Sequence, residues 1–187
     1  MALNSANVLV ALTGAVYVAP LATALPTTTS AAWNAAFVDL GYLSEDGIVE
    51  AHDDQSSEVK AWQNGDTVRE MITGSKATYT FTLIETTAAG LALYYKGSTI
   101  TGTGAGPATV AVKNPTAERK AFGFDVVDGL NIVRWTIATG EVSDRGDITY
   151  KNDEAVGYEL TITAFPASNG VHTTKIISAL AGLPPAP

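Results

Sequence analysis

Residues able to do chemistry are sparse and far apart in this chain. His52 and His172 are the only histidines among 187 residues, 120 positions apart, and cysteine is absent. Both histidines sit in polar, loop-like surroundings and read as exposed side chains. A Ser/His/Asp site needs a strained nucleophile turn, and no G-x-S-x-G occurs. Without cysteine there is no disulfide framework, thiolate zinc site or thiol nucleophile. "HDDQSSE" (His52–Glu58) lacks the alternating D-x-D-x-D-G and closing Glu of a calcium loop, so it reads as a flexible acidic loop. "GTGAG" (Gly102–Gly106) is followed by neither Lys-Ser/Thr nor a helix start, and "RGD" (Arg145–Asp147) fits a hairpin tip or bulge that needs glycine. The expectation is a protein that is not an enzyme, with no catalytic residues, no metal site and no cofactor.

Charge narrows the classes further. Only 16% of residues are charged against 46% hydrophobic, where an average soluble domain carries about 25% charged residues. A chain this poorly charged suits a surface largely covered by partners. Of the net −8, residues 1–59 hold −7, from Asp39, Glu45, Asp46, Glu50, Asp53, Asp54 and Glu58 with no base; the remainder holds −1. A surface that grips nucleic acid has the opposite sign, because its affinity comes from neutralising phosphates. The apolar run "VLVALTGAVYVAPLATALP" has no cationic residue before it and is broken by Thr13, Gly14 and Pro20. It reads as strand rather than signal peptide or membrane span, and the protein as made in the cytosol.

The elements that would position any surface are mostly strands. "SKATYTFTL" alternates strictly: Ala77, Tyr79, Phe81 and Leu83 point one way, and Lys76, Thr78, Thr80 and Thr82 the other. That is a half-buried strand with a hydroxyl-rich outer face. Further strands are expected at Val8–Val18, near Phe37–Tyr42, at Glu58–Gln63 and Thr67–Thr73 around "NGD", and at Lys120–Val127 and Leu130–Ala138 around Asp128-Gly129. Val156–Ala164 should bury Val156, Tyr158, Leu160 and Ile162. "GEVSDRGDITYKND" reads as a third hairpin or bulged corner, and Ala31–Ala36 as a short turn of helix. Thr86 or Thr87 can cap the one credible helix, "TTAAGLALYYKG". The Pro-rich end cannot join a sheet. The fold class is mainly β: an antiparallel β-sandwich or partly closed barrel with one flanking α-helix, in a single domain.

A two-residue turn at Asp128-Gly129 pairs Phe122 with Trp135, Phe124 with Val133 and Val126 with Asn131. Phe122, Phe124, Val126, Val133, Trp135 and Ile137 then share a buried face. The opposite face holds Ala121, Gly123, Asp125, Ile132, Arg134 and Thr136, with Asp125 diagonal to Arg134. It is small, mixed and flat, fit either for solvent or for a neighbouring subunit.

Three stretches together resemble a known family. "TGAVYVAPLATALPTT" (Thr13–Thr28), "AAFVDLGYLSEDGIVEAHDDQSSEVKAWQNGDTVREMITGSKATYTFTLIETT" (Ala35–Thr87) and "ATGEVSDRGDITYKNDEAVGYELTITAFP" (Ala138–Pro166) resemble the major tail tube proteins of long, non-contractile-tailed bacteriophages (siphoviruses) infecting actinobacteria. The match weakens over Lys96–Ala117. The resemblance implies a β-sandwich whose copies close six to a ring, with rings stacked into a hollow tube that conducts genomic DNA. It implies an N-terminal arm at about 1–7, an acidic inter-ring loop at about 44–66 and a C-terminal arm at about 168–187 around one tube-forming domain. It also implies tape-measure, terminator and tail-tip proteins as partners, a place in the virion after assembly in the host cytoplasm, no membrane, and DNA passing without specific binding.

On this reading Thr78, Thr80 and Thr82, with Asp125, Arg134 and Thr136, line the bore or pack on a neighbour. The acids Glu45, Asp46, Glu50, Asp53, Asp54 and Glu58 either line the bore or meet Lys113, Arg119 or Lys120 of the adjacent ring. The rival readings are a capsid decoration protein or secretion tube and, from another class, a carbohydrate-binding module using Trp33, Trp62 and Trp135 as a platform.

Overall fold

The structure, a computed structural model, describes residues 8–102, 106–129 and 131–178. Among these residues there are ten strands and one short helix. In chain order they are β1 (Thr13–Ala19), β2 (Val38–Asp39), β3 (Leu43–Lys60), β4 (Thr67–Leu83), α1 (Ala88–Tyr94), β5 (Thr99–Thr101), β6 (Thr109–Ala111), β7 (Arg119–Asp128), β8 (Asn131–Arg145), β9 (Tyr158–Ala164) and β10 (Thr174–Ile177). Eight strands form one antiparallel sheet in the order β2-β1-β7-β8-β9-β4-β3, with β10 beside β8; β5 and β6 make a separate pair. The sheet curls until β1 and β3 touch without pairing, so the barrel is partly closed.

The concave side holds the core. Tyr79, Phe81 and Leu83 of β4 are buried as their alternation requires, as are Phe122, Phe124, Trp135, Ile137, Leu160 and Ile162 from the neighbouring strands. The Tyr79 and Phe124 rings stack at 5.3 Å, as do Phe124 and Trp135. Thr87 caps α1, its hydroxyl accepting from the Gly90 amide at 3.1 Å. Leu93 on that helix is buried in the core.

Several elements differ from expectation. The acidic stretch read as a loop belongs to the strand β3, paired with β4 from Ile48–Phe81 to Lys60–Thr67 through register irregularities at Gln55/Ser56 and Val59/Lys60. Backbone hydrogen bonds to β4 hold it, which is why its side chains show no apolar period. The β7–β8 register lies two residues further along: Phe124 faces Trp135, Val126 faces Val133 and Asp128 faces Asn131. The turn opens at Gly129 (φ +59°), one residue later than expected, and a shift of two keeps every side chain on its expected face. Of the two readings of "GEVSDRGDITYKND", the bulged one fits: β8 continues to Arg145 through an irregularity between Val142 and Asp144 while pairing antiparallel with β9. No helix forms at Ala31–Ala36. Part of the segment expected as a C-terminal arm, Thr174–Ile177, is a strand along β8. The expected N-terminal arm at 1–7 lies outside the described residues.

Candidate assembly interface

β3 and β4 leave the body of the sheet together. β9 pairs with β4 only as far as Ala77, so Asp53–Lys60 and Thr67–Lys76 extend beyond it as a two-stranded arm. Its tip is a tight reversal in which the Ala61 amide donates to the Asp66 carbonyl at 2.8 Å. Asn64 and Gly65 there adopt φ of 64° and 70°, the left-handed region that Asn-Gly accepts most readily. The arm is exposed along nearly its whole length and carries large apolar side chains into solvent: Trp62 is 98% exposed, with Val59, Val68 and Ile72 also open. β3 ends the sheet order, so among the described residues its outer edge is unpaired along its length.

The six acids of the segment divide into two kinds. Glu50 is anchored within its own chain. Lys175 of β10 donates to it at 2.5 Å, His52 lies at 3.0 Å and the Tyr79 hydroxyl at 3.3 Å. Burial pushes the Glu50 carboxyl up, but the hydrogen bonds and charges of Lys175 and His52 outweigh it and hold the group below the ordinary carboxylate value. Burial raises the Tyr79 phenol. Glu58 is held near Lys60 and accepts from Thr67 at 3.1 Å. Glu45 and Asp46 are exposed near Ser44, and Asp53 and Asp54 lie exposed on the arm.

The threonine face is laddered rather than bare. Thr78, Thr80 and Thr82 stand opposite Thr163, Thr161 and Glu159 of β9, and the Thr80 and Thr161 hydroxyls meet at 2.9 Å. All three are half-buried.

Asp125, Arg134 and Thr136 are a correction: their face is covered from within the chain, not open to a neighbour. Residues Thr28–Phe37 lie over it. Trp33 donates its indole N–H to Asp125 Oδ2 at 2.8 Å and sits 4.7 Å from the Arg134 guanidinium. Arg134 also donates to the carbonyls of Thr28 (3.1 Å) and Ala31 (2.6 Å). Asp125 and Arg134 face each other directly rather than diagonally, and Thr136 is buried beside them. The signal that could have shown this is Gly123. A Cβ there would meet the Trp33 ring at 2.1 Å, and a lone glycine inside an apolar strand marks a close approach.

The remaining candidates take structural places. His172 bonds the Ala164 carbonyl through Nδ1 at 3.2 Å. Arg145 of the RGD tripeptide donates to the Tyr94 carbonyl at 2.8 Å, tying α1 to the end of β8. The three tryptophans do not converge: Trp135 is in the core, Trp33 on the opposite side of the β7–β8 pair and Trp62 at the arm tip. No platform for a sugar results.

A family model described as "Phage tail tube protein" matches residues 1–184. No curated protein matches the chain. Among solved structures it is similar to a chain of the virion of a native gene transfer agent particle, at 12% identity, with 95% of this chain and 100% of that one covered and a TM-score of 0.41. It is similar also to a chain of the tube-terminating cap of the anti-feeding prophage, at 10% identity, with 94% and 93% covered and a TM-score of 0.47. Both likenesses are too distant to carry an argument, whereas the family match spans nearly the whole sequence.

Proposed function

Because this chain belongs to the phage tail tube protein family, and is accordingly a structural protein of the virion tail rather than an enzyme, we propose that its copies close six to a ring and that the rings stack into the conduit of a long, non-contractile tail. The observation that carries the proposal is the arm. A two-stranded ribbon alone is marginally stable in water, and this one holds out Trp62, Val68 and Ile72 with an unpaired edge. An open, apolar strand edge is a template for further pairing. A sister copy covers both the edge and the side chains. The low charge fraction agrees, since a surface enclosed by copies of itself needs few charges to stay soluble.

The bore follows from the same composition. Duplex DNA carries about one negative charge per ~1.7 Å of axis, so a cationic wall would hold it. Net-acidic subunits presenting neutral hydroxyls let it slide. We assign the Thr78, Thr80 and Thr82 face to a surface enclosed by assembly, and Asp53 and Asp54 to the contact between rings. Tape-measure, terminator and tail-tip proteins would meet the two ends of the tube, and assembly would take place in the host cytoplasm before DNA ejection.

Electron microscopy of the purified protein tests the proposal: hollow filaments or rings are expected, and discrete monomeric particles at every concentration would overturn it. The Asp53→Lys, Asp54→Lys double variant should stay folded yet form short tubes or none. Tubes of normal length from it would remove those two residues from the stacking role.

A further inference from the structure

The sequence carries two Asn-Gly pairs, Asn64-Gly65 at the arm tip and Asn169-Gly170 between β9 and β10. Such a pair can cyclise without an enzyme. The glycine amide nitrogen attacks the asparagine Cγ, a new C–N bond closes a five-membered imide, and the side-chain nitrogen leaves as ammonia. Water then adds to one of the two imide carbonyls and reopens the ring. The product is aspartate or isoaspartate, whose main chain runs through the extra methylene. Glycine in second place favours the reaction, because no Cβ shields its nitrogen and its backbone turns freely.

The fold treats the two pairs in opposite ways. At Asn169-Gly170 both reacting groups are occupied. The Gly170 amide donates to the Ala167 carbonyl at 2.9 Å, and the Asn169 side-chain oxygen accepts from the Val171 amide at 3.1 Å. A further bond from the Ala167 amide to the Val171 carbonyl, at 2.9 Å, closes that loop. At Asn64-Gly65 neither group is held. Both residues are exposed, and among the described residues the Gly65 amide and the Asn64 carboxamide have no hydrogen-bond partner. No atom stands within 4 Å of where a Cβ of Gly65 would be.

An imide requires an extended asparagine, which the left-handed turn at Asn64 (φ 64°) does not supply, so reaction waits on local opening of the tip. That opening is cheap. One backbone bond closes the reversal, from the Ala61 amide to the Asp66 carbonyl, and β9 backs the ribbon only as far as Ala77. A two-stranded ribbon without a third strand is marginal in water and opens before the sheet does.

We propose that Asn64 is a site of spontaneous deamidation in the free subunit, that burial of the arm in the tube protects it, and that a subunit altered there no longer joins. This rests on the tube reading above and adds a limit on how long an unassembled copy stays competent. Residues 58–70 already set Glu58, Asp66 and Glu70 against Lys60 and Arg69. Either product adds a carboxylate to that acidic tip, and isoaspartate also lengthens the main chain inside a reversal of fixed span.

Ageing the purified free protein in mildly alkaline buffer, followed by peptide mass spectrometry, tests the site. The peptide holding Asn64 should gain the mass of an amide turned to acid and split into aspartyl and isoaspartyl forms. The Asn169 peptide should keep its amide over the same time. Equal rates at the two would overturn the proposal. Tubes formed first and aged in the same buffer should keep Asn64 intact, and loss there at the free rate would remove the protection. When aged subunits are then allowed to assemble, modified chains should be depleted from the tubes by about tenfold against the supernatant, since like charges brought together at an interface are costly. Modified chains entering tubes in proportion to their share would overturn the exclusion. Asn64→Gly suits the left-handed turn and has no side chain to cyclise, so its assembly should survive ageing; decline at the parent's pace would remove Asn64 as the cause. Fresh parent protein that forms no tubes would defeat the tube reading, while the rates at Asn64 and Asn169 in the free protein still decide the site.

Discussion

Arg134 lies directly across the β7–β8 ladder from Asp125 and grips it with two hydrogen bonds, Nε to Oδ1 at 2.6 Å and a terminal nitrogen to Oδ2 at 2.8 Å. Both side chains are buried under Trp33. A forked pair of this kind is rigid, and the carbonyls of Thr28 and Ala31 use further guanidinium donors. The pair thereby pins the segment before β2 onto the back of the sheet.

Removing one member strands the other charge in a dry site. Arg134→Met should destabilise the subunit by about 3–5 kcal/mol, the range for breaking buried pairs. The double variant Asp125→Leu, Arg134→Met should lose much less. Urea unfolding of the three proteins measures this, and equal losses in single and double variants would contradict it.

Gly123 allows the cover to close. Because a methyl there would overlap the Trp33 ring, Gly123→Ala should displace the indole and cost about 1–3 kcal/mol, as overpacking does. The readout is Trp33 fluorescence, which should move towards that of a solvated indole.

Thr163 carries an unused group. Its hydroxyl is buried with no hydrogen-bond partner among the described residues, and such a group costs about 1–3 kcal/mol. Thr163→Val keeps the shape, suits a strand and removes the orphan, so the melting temperature should rise by a few degrees. A fall would mean the hydroxyl is satisfied in solution.

Glu50 ties β10 to β3 through Lys175. Its folded-state acidity is stronger than in the unfolded chain, so the contact stabilises fully above the ordinary carboxylate value and is lost as pH falls through the lower, folded one. Since Lys175 is 40% exposed, the effect is under about 1 kcal/mol. The protection of the β10 amides, after correction for the intrinsic pH dependence of exchange, should fall on acidification in the parent protein and be low at every pH in Lys175→Met.

Periodicity made the inner surface legible. Alternation over Ala77–Leu83 and Tyr158–Ile162 placed Tyr79, Phe81, Leu160 and Ile162 in the core, and the Thr86-Thr87 pair announced the cap of α1, which the structure assigns to Thr87. These follow from local rules, because a strand's side-chain period and a helix's orphan amides belong to the segment itself. The absence of cysteine and the acidic first third were likewise read directly.

Long-range pairing was not legible. Around "NGD" the end of the β3–β4 hairpin was legible, but the rest of β3 has no periodic pattern and is held as a strand by its ladder to β4. Trp33 lies 92 residues from the aspartate it bonds, and Lys175 lies 125 from Glu50. Which face of β7 and β8 would be free therefore depended on a distant segment folding over it, and that packing removed Asp125 and Arg134 from the outer surface. Sequence order by itself determined the family and the inward faces; tertiary contacts decided what remained exposed, because exposure is a property of what lies on top of a residue and not of the residue.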